Sequence, residues 1–165
     1  QKFLIVTKII CTICMRGGSK GLHNKNLKKL NDNPLLFYTI NQAIESKLFE
    51  HVVVSTDSKE IANESIKYGA KAWFIRPKEL ASDYAAKIPA IRHALIESED
   101  HFQQNYDVLI DLDATSPLRQ VEDIVNAYNK FVNEECDNLF SVCDSRKSPY
   151  FNMFEDNNGI NLRGH

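Results

Sequence analysis

Long apolar runs are missing from this chain of 165 residues. Nothing in it approaches the roughly 18 consecutive apolar positions that a membrane-spanning helix requires, which excludes such a helix. An excess of one charge is missing too: 20 Lys and Arg stand against 22 Asp and Glu, a formal net charge of −2. That balance argues against a nucleic-acid binder that works by phosphate neutralisation, although a local basic patch stays open. Cysteine is scarce, with only Cys11, Cys14, Cys136 and Cys143. A chain of this length buries a core without staples, so no disulfide framework is needed. With no charged-then-apolar leader, the expected compartment is the reducing cytoplasm. Cys11-x-x-Cys14 has a spacing that can serve zinc or redox chemistry, but it lies in the apolar run Ile9-Ile10-Cys11-Thr12-Ile13-Cys14. Residues three apart on a strand face opposite ways, so buried structural thiols are expected. The chain opens on Gln-Lys-Phe, without an initiator Met, and its first residues are expected to be a processed or engineered end. Internal repeats and low-complexity linkers are also absent, and one domain over 1–165 is expected.

What is present is an alternation of strand and helix signals. An apolar run at 8–14 leads into a glycine-rich polar loop at 15–26. A helix follows, with Asn33 as N-cap, Pro34 in its first position, and Leu35, Leu36, Ile40, Ala43 and Ile44 on one face. A strand is expected at His51–Ser55, then a helix opened by the capping box Asp57-x-x-Glu60 and ended by Gly69. Further strands are expected at 71–75, 108–112 and 139–143, and helices at 89–98 and 121–134. The tail at 150–162 reads as a hairpin turning at Asn157-Asn158-Gly159. Near-continuous apolar strands between helix-length segments predict an α/β fold, Rossmann-like and three-layered, with a mostly parallel sheet. Ligands of such sheets bind beyond the carboxyl ends of the strands. The loops at 15–26, 55–57, 76–83 and 113–119 are therefore the candidate site.

The first of these loops, Met15-Arg16-Gly17-Gly18-Ser19-Lys20-Gly21-Leu22-His23-Asn24-Lys25-Asn26, carries three glycines and three cations. Glycines let backbone N–H groups converge on an anion, and Arg and Lys bind phosphate oxygens. The order G-x-x-x-x-G-K-[ST] is absent, as is G-x-G-x-x-G, so this is neither a P-loop nor a dinucleotide fingerprint.

Arg16-x-Gly18-Ser19-Lys20-Gly21-x-x-x-Lys25-Asn26 resembles the signature loop of the acylneuraminate cytidylyltransferases, the CMP-sialic acid synthetases and their legionaminic and pseudaminic relatives. Three further segments match in the same order: Val53-Val54-Ser55-Thr56-Asp57, Arg76-Pro77-x-x-Leu80-Ala81-Ser82-Asp83 and Thr115-Ser116-Pro117-Leu118-Arg119. The resemblance implies the nucleotide-diphosphosugar transferase fold and transfer of CMP from CTP to the anomeric hydroxyl of a sialic-type acid, with loss of pyrophosphate. It implies Mg²⁺ as the ion, no nucleic-acid or membrane partner, and a homodimer. By the same resemblance Arg16, Gly18, Ser19, Lys20, Gly21 and Asn26 bind nucleotide, joined by Arg76 and Ser82. Lys25, with Arg16, stabilises the reacting phosphate. Asp113, Thr115, Ser116 and Arg119 face the acceptor, with intramolecular pairing an equal reading for Arg119. Asp57 reads as a helix cap.

The chain departs from that pattern at Asp113-Ala114, where most relatives carry Gln-Pro, and Asp111 lies two residues earlier. Asp113 then either binds Mg²⁺, with Asp111 on the same face of the strand, or accepts bonds from sugar hydroxyls, or is satisfied by the following turn. The family also continues past this tail into a segment with metal-binding aspartates, which the chain is expected to lack. Other readings are a nucleotidyltransferase for a sugar such as 3-deoxy-manno-octulosonate, or a non-catalytic nucleotide-binding module.

Overall fold

The computed structural model describes residues 7–18, 21–82, 84–134 and 136–142, together with the backbone of two short strands near the end of the chain. The sequence reads as one domain, whereas the chain gathers into two compact units, Gln1–Lys130 and Phe131–His165. In the first unit β1 (Ile9–Cys14) lies between β4 (His51–Ser55) and β5 (Val108–Asp111) and runs parallel to both. A small antiparallel pair, β2 (Lys29–Leu30) with β3 (Asn33–Pro34), follows the glycine-rich loop. Parallel neighbours need crossovers, and α1 (Leu35–Ser46), α2 (Lys59–Lys67) and α3 (Lys87–Phe102) lie in the connections.

Alternation along β1 divides its side chains between two cores. Cys11 and Ile13 join Val52 and Val54 of β4, Leu36, Ile40 and Ala43 of α1, and Ile61 of α2. Ile10, Thr12 and Val53 are fully buried on the opposite face, where α3 packs against β1 and β4. The buried positions of α3 are Ala90, Ala94 and Ser98, four residues apart and small, so its backbone can approach the sheet closely. Helices on both faces of a parallel sheet make the expected three-layer α/β arrangement.

Several local expectations are corrected. Pro34 rather than Asn33 is the N-cap of α1, because Asn33 and Pro34 are committed to β3. Ile44 of the expected apolar face is 42% exposed. The cap of α2 is Ser58, whose hydroxyl accepts a bond from the Ile61 N–H at 3.3 Å, and not Asp57. Gly69, with φ at +93°, does follow the end of α2. The strand expected at 71–75 reduces to a single bridge between Lys71 and Val53, and α3 is longer at both ends than 89–98. The helix α4 (Val121–Asn133) ends one residue before the expected limit.

In the second unit, residues 139–142 form no strand, and Cys143 lies outside the described residues. The hairpin is present as β6 (Phe154–Asp156) paired antiparallel with β7 (Leu162–Gly164). Its turn, Asn157-Asn158-Gly159, also lies outside them. No helix among the described residues is long and apolar enough to cross a membrane.

Candidate active site

From β1 the chain crosses to β4 on one side and later returns to β5 on the other, so the strand order reverses at β1. A crevice opens beyond the carboxyl ends of strands at such a switch point. Here it is a cleft of about 340 Å³, its walls built from the segments that leave β1 and β5. Arg16, Lys25 and Asn26 from the segment after β1 and Asp113 and Thr115 from the segment after β5 line it, together with Gly21 and Cys14. Two cationic residues thus share one cleft with a carboxylate and a hydroxyl residue.

The glycine-rich loop is held at both ends. The Asp57 carboxylate accepts from the Gly17 N–H at 2.8 Å, and a Cβ on Gly17 would stand 3.1 Å from Ser58 Cβ. Gly17 is therefore the glycine that close approach requires, whereas a Cβ on Gly18 or Gly21 would meet nothing within 4 Å. At the other end the Asn26 amide donates to the Arg16 carbonyl at 3.3 Å, and Asn26 is buried. Asn24 takes a left-handed conformation, φ 52°, ahead of the 3-10 turn Lys25–Leu27. Ser19 and Lys20 lie outside the described residues.

The third loop meets the first. Arg16 Nη1 donates to the Ser82 carbonyl at 3.3 Å. Arg76 is only 5% exposed. Its Nη2 donates to the Met15 carbonyl at 2.8 Å, while its Nε has no partner among the described residues. Arg119 spans its own loop, donating to the Asp113 carbonyl at 2.9 Å and to Gln42 Oε1 at 3.2 Å. Gln42 in turn donates to the carbonyls of Pro117 and Arg119. Ser116, Ser82, Arg76, Arg119 and Gly18 are thus close to the cleft in sequence but do not line it.

Lys87 has no place in the sequence reading. Its ammonium lies 2.6 Å from Asp111 Oδ2 and 2.7 Å from Asp113 Oδ1, which confirms that the two carboxylates share a face. Burial opposes its charge, but hydrogen bonds and charge from Asp111 and then Asp113 outweigh that and raise its pKa above the ordinary lysine value. A signal existed: Lys87 opens α3, where the helix dipole disfavours a cation and no acidic residue accompanies it. The carboxylate pair does not fit a magnesium site as it stands, because the ammonium already occupies the space between them. Among the described residues no group of three or more His, Cys, Asp or Glu side chains could hold a metal.

Cys11 is buried as expected, whereas Cys14 is only half-buried and lines the cleft. Burial, then the charge of Asp111, pushes Cys14 up to about 12 and Cys11 well above its ordinary value. Both are free.

A family model described as cytidylyltransferase matches residues 10–155. Post-translational flagellin modification protein B of Campylobacter coli is 51% identical over 93% of this chain and 66% of its own length. CMP-N,N'-diacetyllegionaminic acid synthase of Campylobacter jejuni is 50% identical over 93% of this chain and 65% of its own. A solved CMP:2-keto-3-deoxy-manno-octonic acid synthetase complexed with CTP superposes with a TM-score of 0.64 at 19% identity, over 78% of this chain and 49% of that one. That last likeness is one of fold. The chain spans about two thirds of the length of the two Campylobacter relatives.

Proposed function

The chain belongs to the cytidylyltransferase family, and on that premise we propose that its cleft binds CTP and transfers CMP to the anomeric hydroxyl of a sialic-type acid. The observation that carries this reading is the meeting of Arg16, Lys25 and Asn26 with Asp113 and Thr115 around one cleft at the switch point of the sheet. Two cationic residues suit a triphosphate, and a carboxylate with a hydroxyl suits a polyhydroxylated acceptor.

In the reaction the acceptor hydroxyl oxygen bonds to the α-phosphorus of CTP. The bond from that phosphorus to the bridging oxygen breaks, and pyrophosphate departs with the electron pair. The hydroxyl proton passes to solvent. Negative charge grows on the transferring and leaving groups, so fixed cations and N–H donors are the main source of acceleration. Lys25 serves the α-phosphate and Arg16 the rest of the triphosphate, with Ser19, Lys20, Gly18 and Gly21 completing the loop. Arg76, buried and bonded to the Met15 carbonyl, and Ser82, whose carbonyl accepts from Arg16, brace the loop that holds the nucleotide. Thr115 faces the acceptor, and Arg119 acts by bracing that loop. Mg²⁺ arriving with the nucleotide would supply further charge neutralisation, with no ligand from the Asp111 and Asp113 pair that Lys87 occupies.

The relative at 50% identity that is named for diacetyllegionaminic acid puts that compound first among acceptors to test. Pyrophosphate release from CTP is the assay, with N,N'-diacetyllegionaminic, pseudaminic and N-acetylneuraminic acids and octulosonate in parallel. Release dependent on a nine-carbon sugar acid is expected. Release with octulosonate alone, or with none of the four, overturns the proposal.

A further inference from the structure

Lys87 sits where its own helix repels it, in the first turn of α3, and is held there by two carboxylates on a different element. Asp111 has a partner on each oxygen: Thr12 Oγ1 donates to its Oδ1 at 3.0 Å and Lys87 takes its Oδ2. Its side chain is 13% exposed, against 59% for Asp113. Asp113, which lines the cleft, gives only Oδ1 to Lys87, so its Oδ2 remains as an acceptor.

We propose that Lys87 is a positioning residue for the acceptor: by bridging Asp111 and Asp113 it presents Asp113 Oδ2 to a donor group of the sugar and bars divalent cations from the carboxylate pair. The proposal rests on the CMP-transfer reading and deepens it. Mg²⁺ takes oxygen ligands at about 2.0–2.1 Å in strict octahedral geometry. An ammonium lying 2.6 and 2.7 Å from one oxygen of each carboxylate leaves no room for that shell and repels the ion. The charge count points the same way. Two carboxylates and one ammonium leave one net negative charge beside the cleft, where the bare pair would leave two. With Lys87 in place, Asp113 can accept a hydroxyl or amide N–H without driving CTP away.

The test compares wild type with Lys87→Met, which keeps the apolar stem, and Lys87→Arg, whose fork can span both carboxylates. Without nucleotide, Mn²⁺ titration followed by electron paramagnetic resonance should show no site at the pair in wild type. A site should appear in Lys87→Met and vanish again in Lys87→Met with Asp113→Asn. In the pyrophosphate assay Lys87→Met should raise the acceptor KM on the order of tenfold, with a much smaller change in kcat, and Lys87→Arg should restore it. Wild-type Mn²⁺ binding that Asp113→Asn abolishes would overturn the proposal, and so would an unchanged acceptor KM in Lys87→Met. If wild type releases no pyrophosphate with any acceptor, the CMP-transfer reading fails and the Mn²⁺ titration decides the role of Lys87 alone.

Discussion

Lys25 and Arg16 face the same cleft but are expected to act at different stages. A cation that meets charge developing in the transition state affects turnover more than binding, so Lys25→Ala should lower kcat on the order of 10²–10³-fold with a smaller loss of CTP affinity. Arg16→Ala should weaken CTP binding as well. Steady-state kinetics beside a CTP binding isotherm separates the two, and near-normal turnover in Lys25→Ala would contradict the assignment. Asp57 makes a different contribution, as the anchor of the Gly17 N–H. A bond to a charged acceptor is worth about 1.5–3 kcal/mol, so Asp57→Ala should lose stability in urea and CTP affinity together. The sequence showed that Asp57 matters but not how, because Asp57 and Ser58 are adjacent cap formers and local pattern cannot rank them. The pairing of Lys87 was hidden for a related reason: its partners are at the end of β5 and in the loop after it, and reading a helix face for charge pairs looks only three or four residues away.

Elements were legible where their apolar pattern is strong and long. β1 and β4 are nearly continuous apolar runs, and each appears within a residue of its expected place. The failures have physical causes. The 71–75 segment holds Trp73 and Phe74, whose β-propensity promised a strand; instead their rings stack or tilt against His101, Phe102 and His93 of α3. The inner face of α3 is small rather than oily, so its length was underestimated. Ala94 is fully buried there. Ala94→Leu should therefore destabilise the protein by about 1–3 kcal/mol through overpacking against the sheet, measured by urea unfolding. No loss would mean that α3 does not approach the sheet as closely as described.

At the scale of the whole molecule, strand order does what no single motif could: it brings the loops after β1 and β5 to one cleft although nearly 100 residues separate Arg16 from Asp113. The sequence suggested which loops to watch, but the ordering β4-β1-β5 that joins them is a tertiary fact. The same long-range pairing has a pH signature. Lys87 has a raised folded pKa, so its contribution to stability is complete below the ordinary lysine value of 10.5 and fades as pH rises through the folded value. The stability gap between wild type and Lys87→Met should shrink above that range, by a modest amount because the side chain is 43% exposed to screening solvent. A gap that grows with pH would contradict the bridge. The central claim, that the cleft is a cytidine triphosphate site, is tested most directly by thermal unfolding with CTP, UTP, ATP and GTP at equal concentration. Ligand stabilisation follows affinity, so CTP should raise the Tm most. Equal shifts from all four nucleotides, or none from CTP, would contradict it.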